Sequence, residues 1–395
     1  MLAHSPPTIP LIIDHFDDGY QDLTAEDEKG IVLALQHRDR LCRIRLLKPT
    51  PILQKLIISL DREFPILEFL LIWHQRYHRP VIEPTMNLSF PETFRAPHLH
   101  QLMLRNFATP IESPHLTTMG NLVTLFLTKI PFSAHFYLNP LLQRLSLMPQ
   151  LEALFTGFNF SLEVERQLLH TLIVTRVTLP NLHWFGFLGF SAYLEVLLPW
   201  LTAPLLKRIR ISFFNQMIYS VPHLRQFIST AANLQVKTVT LYFEEDHLRV
   251  MTYPHMGARL HNLDMELDGR HFDRQIFSAT QVFRALSTVF SVAEHLTLDY
   301  YRHDISSEWN NEADRIHWRE LLGSFEKVKT LSVDDSELVE QLSRALQSGE
   351  EELPMEILPE LQKLSHSATD ASLNPFSQFI DVQQKAGRPV TVVRT

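Results

Sequence analysis

One apolar pattern recurs along the chain. In PHLHQLMLRNF, Leu99, Leu102 and Leu104 stand at positions one, four and six of a form Φ-x-x-Φ-x-Φ, where Φ is apolar. The same spacing occurs at Leu41/Ile44/Leu46, Leu67/Leu70/Ile72, Leu122/Leu125/Leu127, Leu182/Phe185/Phe187 and Leu206/Ile209/Ile211. It continues at Val236/Val239/Leu241, Leu260/Leu263/Met265, Ala293/Leu296/Leu298 and Val328/Leu331/Val333. Leu151/Leu154 and Leu361/Leu364 complete twelve copies, with Thr156 and His366 in the third place. First positions are 23 to 35 residues apart, room for one strand, one helix and two turns. Strand side chains alternate, so the second and third apolar residues face one way and the residues between them the other.

The segments between copies carry helical spacing of three and four. Examples are EDEKGIVLALQH, ILQKLIISLDRE, PLLQRLSL, VPHLRQFIST, RQIFSATQVFRALSTVF, DRIHWRELLGSF and SELVEQLSRALQS. GFSAY opens a helix at Ser191, and Asp314 and Ser336 are expected N-caps. Strands alternating with helices predict βα units with parallel pairing. One unit cannot bury its apolar face alone, so neighbours stack into a continuous core. The expected fold is α/β: an open leucine-rich-repeat-like solenoid of about twelve βα units, with the parallel sheet on the concave face and helices outside. A closed βα barrel has units of similar length, but twelve exceed its eight and only 11 glycines are available for tight loops. The expected organisation is a single domain over 1–395, with an N-terminal strand or cap in 1–20, repeats in 21–365 and a C-terminal cap and tail in 366–395. A regular repeat places Asn or Cys eight residues after the first leucine. Here Phe107, Ile130, Phe190, Phe214 and Tyr301 stand there, and only Asn159 fits, so no asparagine ladder is expected.

Composition narrows function. The chain is 45% hydrophobic and 20% charged with net charge −8, which lacks a basic nucleic-acid footprint. Residues 301–395 hold 17 acidic and 10 basic side chains, so most of the negative charge lies there. Cys42 is the single cysteine, which rules out an internal disulfide and fits an intracellular site, cytoplasm or nucleus. No segment reaches the roughly 20 apolar residues of a membrane span. No phosphate-binding glycine motif is present. The pairs His74/His78 and His98/His100, and the carboxylates in EEDH (244–247) and at Asp334 and Asp335, read as solvated turns. Neither a catalytic site, a metal site nor a cofactor is expected.

The sharper signal lies on the outward face of the strands. Phe69, Trp73, Met103, Arg105, Phe126, Phe155, Trp184, Arg208 and Arg210 are the candidate partner-binding residues. In chain order this face grades from aromatic, through a basic middle, to acidic at Asp264, Glu266, Asp299 and Asp334. Aromatics beside arginines match the composition of binding hot spots. The alternative is that the rings are covered by long loops.

Several longer words carry a resemblance. PLIID (10–14), PETFRAPHL (91–99), LLQRLSLMPQLE (141–152), LPNLHWFGF (179–187), VPHLRQF (221–227), WRELLGSF (318–325), VKTLSV (328–333) and AGRPV (386–390) occur in order. They resemble the basidiomycete F-box domain-containing proteins with degenerate leucine-rich repeats. That resemblance implies substrate recognition for a ubiquitin ligase of the Skp–cullin–F-box type. In that family a helical F-box precedes the PLIID-like strand, whereas here PLIID begins at residue 10. The expectation is therefore a recognition half that binds an unknown protein or peptide ligand and does not dock the Skp adaptor by the F-box route. The rival expectations are a scaffold unrelated to ubiquitin and, less favoured, a hydrolase.

Overall fold

The computed structural model describes residues 6, 8–16, 25–48, 50–74, 88–108, 120–130, 138–158, 174–214, 216, 219–269, 272–300, 312–347, 357–367 and 375–394. Asn159, His78 and Tyr301 lie outside them. The chain divides into two compact units. The first comprises Met1–Gly189 with Val196–Leu205, and the second Phe190–Glu195 with Leu206–Thr395.

The first unit contains β1 (Leu11–Phe16), β2 (Leu41–Lys48), β3 (Phe69–His74), β4 (Leu88–Ser89), β5 (Gln101–Arg105) and β6 (Phe107–Ala108). It continues with β7 (Thr124–Ile130), β8 (Ala153–Phe158), β9 (Val177–Thr178), β10 (Trp184–Gly189) and β11 (Leu201–Thr202). Its sheet runs β1-β2-β3-β5-β7-β8-β10 with every neighbouring pair parallel. The second and third apolar positions form the buried rows: Ile44, Leu70, Leu102, Leu125, Leu154 and Phe185 are each at most 2% exposed. Burial of each such side chain contributes roughly 1.5–3 kcal/mol. The helices Ala25–Gln36, Thr50–Ile58 and Leu138–Leu145 bury their own apolar stripes, the last through Leu138, Leu141, Leu142 and Leu145.

Prolines ahead of several strands sit in tight turns. Four-residue turns close at Phe64–Leu67, Ala96–Leu99, Met148–Leu151 and Leu179–Leu182, each by a bond from the leucine N–H to the first carbonyl. Proline occupies the second position of each, at residues 65, 97, 149 and 180. There its fixed φ suits the turn and its missing N–H costs nothing. The first leucine of the pattern thus ends the turn and is fully buried at Leu67, Leu99, Leu151 and Leu182.

The second unit contains β12 (Arg208–Phe213), β13 (Thr238–Phe243), β14 (His247–Tyr253), β15 (Leu263–Asp268), β16 (His295–Tyr300), β17 (Thr330–Val333), β18 (Lys363–His366) and β19 (Thr391–Arg394). Its order is β12-β15-β14-β13-β16-β17-β18-β19. This departs from the sequence expectation of a parallel array in chain order. β13 and β14 form an antiparallel hairpin across Glu244–His247, and β14 pairs antiparallel with β15. The insertion carries β15 to the far side of the hairpin, next to β12, with which it is parallel. The physical reason is local. Burial alternates along β14, with Leu248, Val250 and Thr252 inside, and a short turn joins it to β13, so it satisfies its ladder by folding straight back. Leu260, expected to anchor the ninth copy, is 56% exposed, because it lies in the connection from the antiparallel β14 into β15 and does not close the tight turn that buries Leu67, Leu99, Leu151 and Leu182. The C-terminal region adds a helix, Ser377–Lys385, and β19, which pairs parallel with β18.

Helix starts were partly mislocated by the sequence. The helix Ser336–Leu346 is capped by Asp335, whose carboxylate accepts from the Glu337 and Leu338 N–H groups, so Ser336 is its first residue and not its cap. The helix Glu312–Gly323 begins two residues before Asp314. Ser191 does open the helix Ser191–Leu197. Where a regular repeat would place asparagine, Phe107, Ile130, Phe190 and Phe214 are buried, so apolar packing replaces the ladder there.

Candidate functional site

The residues between the buried rows form the other face of the first unit's sheet. Register sets their neighbours. One row reads Arg43, Phe69, Gln101, Thr124, Ala153, Trp184 from β2 to β10. The next reads Arg45, Leu71, Met103, Phe126, Phe155, Gly186, and a third Leu47, Trp73, Arg105, Thr128. Phe69, Trp73, Met103, Arg105, Phe126, Phe155 and Trp184 are all partly exposed, whereas Leu71 is buried. Seven of the nine candidates therefore share one face of one unit.

Three of them touch. The Phe126 and Trp184 rings meet edge-on at 4.9 Å, Phe126 and Phe155 lie 6.0 Å apart, and Phe155 and Trp184 6.1 Å. Such tilted pairs each contribute about 0.5–1.5 kcal/mol beyond area burial. Sequence reasoning missed the residue that permits the cluster. A Cβ at Gly186 would fall 2.1 Å from the Phe155 ring, so the ring lies across the backbone of β10 in space that any side chain at 186 would take from it. The glycine before Phe187 in WFGF was the available signal. Two arginines lie against other rings, Arg43 at 4.4 Å from the Phe69 centroid and Arg105 at 5.7 Å from that of Trp73. Burial draws the Arg105 guanidinium below its ordinary value. Arg45 stands 3.7 Å from Asp14 on β1.

The remaining two candidates belong to the second unit and behave differently. Arg208 is exposed. Arg210 is bonded to Glu266 at 2.6 Å and lies 3.6 Å from Asp264. Asp264 is fully buried and takes a two-pronged contact from Arg249 at 2.8 and 2.9 Å. Its hydrogen bond is the main reason that the Arg249 guanidinium is held above its ordinary value. Ser212 donates to Glu266 at 2.6 Å, and His261 sits 3.5 Å from Asp264, its imidazole pushed down chiefly by burial. The expected gradient from a basic to an acidic stretch is therefore absent here. The hairpin brings β15 beside β12, so the basic and acidic positions are direct cross-strand neighbours and neutralise one another.

On the helix side of the second unit, a cavity of about 500 Å³ lies among the helices Pro222–Thr230, Phe272–Ala285 and Glu312–Gly323. Its rim charges Arg284 and Glu320 pair at 3.8 Å. EEDH forms the hairpin turn, where His247 contacts Glu244 and Asp246. Among the described residues no group of three or more His, Cys, Asp or Glu could hold a metal ion, and no helix is long and apolar enough to cross a membrane.

A mostly parallel sheet that is not closed, with helices between several of its strands and buried Φ-x-x-Φ-x-Φ cores in most of them, defines an open α/β array of the leucine-rich-repeat kind. No protein-family model and no curated protein matches the chain. Among solved structures it is similar to the leucine-rich repeat-containing protein LegL7 from Legionella pneumophila, at 12% identity and a TM-score of 0.29 over 76% of this chain and 84% of that one. The fold assignment rests on the strand order and burial, not on that likeness.

Proposed function

We propose that the protein is a non-enzymatic recognition module that holds a protein or peptide partner on the open sheet face of its first unit. The observation that supports this is the arrangement of Phe126, Phe155 and Trp184 in ring contact while each stays partly exposed. Aromatic side chains of that kind, fixed on strands, supply large contact area at little ordering cost, and Arg43 and Arg105 stand on the same face against Phe69 and Trp73. The F-box family resemblance of the sequence favours one version of this reading, in which the array is the substrate-binding part of a ubiquitin-ligase adaptor in the cytoplasm or nucleus. A scaffold unconnected with ubiquitin is the other version, and it would use the same face.

Joint replacement W73A/F126A/W184A tests the proposal. Far-ultraviolet circular dichroism should stay close to that of the parent protein, while co-purification of a partner identified with the parent protein should fall at least tenfold. Undiminished partner recovery by a folded variant contradicts it.

A further inference from the structure

The charge on this face has a consequence for what binds it, an inference that rests on the recognition reading above. Across β2, β3, β5, β7, β8 and β10 the outward positions hold Arg43, Arg45 and Arg105 and no carboxylate. Arg43 and Arg105 have no carboxylate partner among the described residues and rest against Phe69 and Trp73 instead. The nearest acid is Asp14 on the flanking β1, opposite Arg45. The second unit shows the contrast: its outward Arg210 and Arg249 are each answered by Glu266 or Asp264. A guanidinium on an aromatic ring retains its in-plane N–H donors for a carboxylate, and the ring shields it from water.

The geometry points to an acidic, apolar peptide segment as the occupant: a partner strand or loop carrying Asp or Glu side chains that pair with Arg43 and Arg105, with apolar side chains between them set on the neighbouring rings. Register gives the spacing. Arg43 shares a row with Gln101, so Arg105 lies two strands over and four residues further along. With strands ~4.8 Å apart and a rise of ~3.3 Å per residue, the two positions are about 16 Å apart. An extended partner covers that distance in about five residues.

Selection of phage-displayed random twelve-residue peptides on the immobilised full chain tests this. The expected result is enrichment of acidic residues at least twofold over the unselected library, with pairs of them about five positions apart. On R43Q/R105Q the acidic enrichment should disappear while apolar peptides are still recovered, and on W73A/F126A/W184A recovery of all classes should fall. Neutral or basic consensus peptides, acidic enrichment that survives R43Q/R105Q, or no enrichment at all overturns the inference. Neutral peptides lost on the aromatic triple variant would leave the recognition reading standing while removing the acidic partner.

Discussion

Gly186 shows how one residue without a side chain fixes a surface. The Phe155 ring occupies the volume above its backbone, and Phe126 and Trp184 close around that ring. Gly186→Ala places a methyl where three Phe155 ring carbons lie within 2.7 Å, so the whole ring must move. The cost should be about 1–3 kcal/mol, the usual range for overpacking, read as a lower urea midpoint with an unchanged slope. An unchanged midpoint would mean that the ring is not held there. A second residue, His366, is fully buried against Phe376 with neither ring nitrogen hydrogen-bonded. Burial first, and Arg394 second, push its imidazole below the ordinary value. The unfolded chain therefore binds a proton, at pH values near and below ~6.5, that the folded chain does not. Stability from this residue is present above that pH and falls as pH drops toward the folded value. Urea unfolding at pH 7.5 and 5.5 should show a smaller loss for His366→Phe than for the parent protein, and an equal loss would contradict the assignment. Asp264 illustrates what the sequence concealed. Its spacing marked it as outward, yet it is a buried acid, because the arginines that answer it come from β12, which chain order does not place beside β15, and from β14, which pairs with β15 antiparallel.

At the scale of elements, the strand phase is the most legible feature. Alternation in β5, with Leu102 and Leu104 inside and Gln101, Met103 and Arg105 outside, follows from a period of two and a single apolar face. Leu102→Asp buries an unpaired carboxylate in that phase, and the melting temperature should fall by 10 °C or more, or the chain should fail to fold. Retention of the parent melting temperature would put Leu102 on the wrong face. Helices were legible from their apolar spacing, and their starts less so. Two adjacent aspartates and a serine compete for one cap, and Asp335, whose backbone is extended, accepts from both free N–H groups. The hairpin of β13 and β14 was not legible as a change of order. LRVMTY carries the Φ-x-x-Φ-x-Φ spacing at Leu248, Met251 and Tyr253, yet it buries Leu248, Val250 and Thr252, so the spacing reveals neither the phase of this strand nor its antiparallel pairing. β19 escaped because it is a four-residue edge strand with no buried side chain and too short to hold the pattern.

At the scale of the molecule, the two units present different sheet faces built from the same repeat. In the first, chain order is preserved in space, so outward residues that are near in repeat number are near in fact, and the aromatic set assembles as the sequence implies. In the second, the inserted hairpin rearranges the order, and charges distant in repeat number cancel. The candidate site was thus readable wherever strand order equals chain order and unreadable where it does not. The central claim, that the first unit's open face is where partners sit, is tested most directly by site-specific photo-crosslinking. A benzophenone amino acid placed at Met103 on that face is compared with one at Gln143, exposed on the helix Leu138–Leu145. The account predicts a discrete crosslinked product with the selected peptides at position 103, competed by excess unlabelled peptide, and none at position 143. Crosslinking at 143 in place of 103, or equally at both, would contradict it.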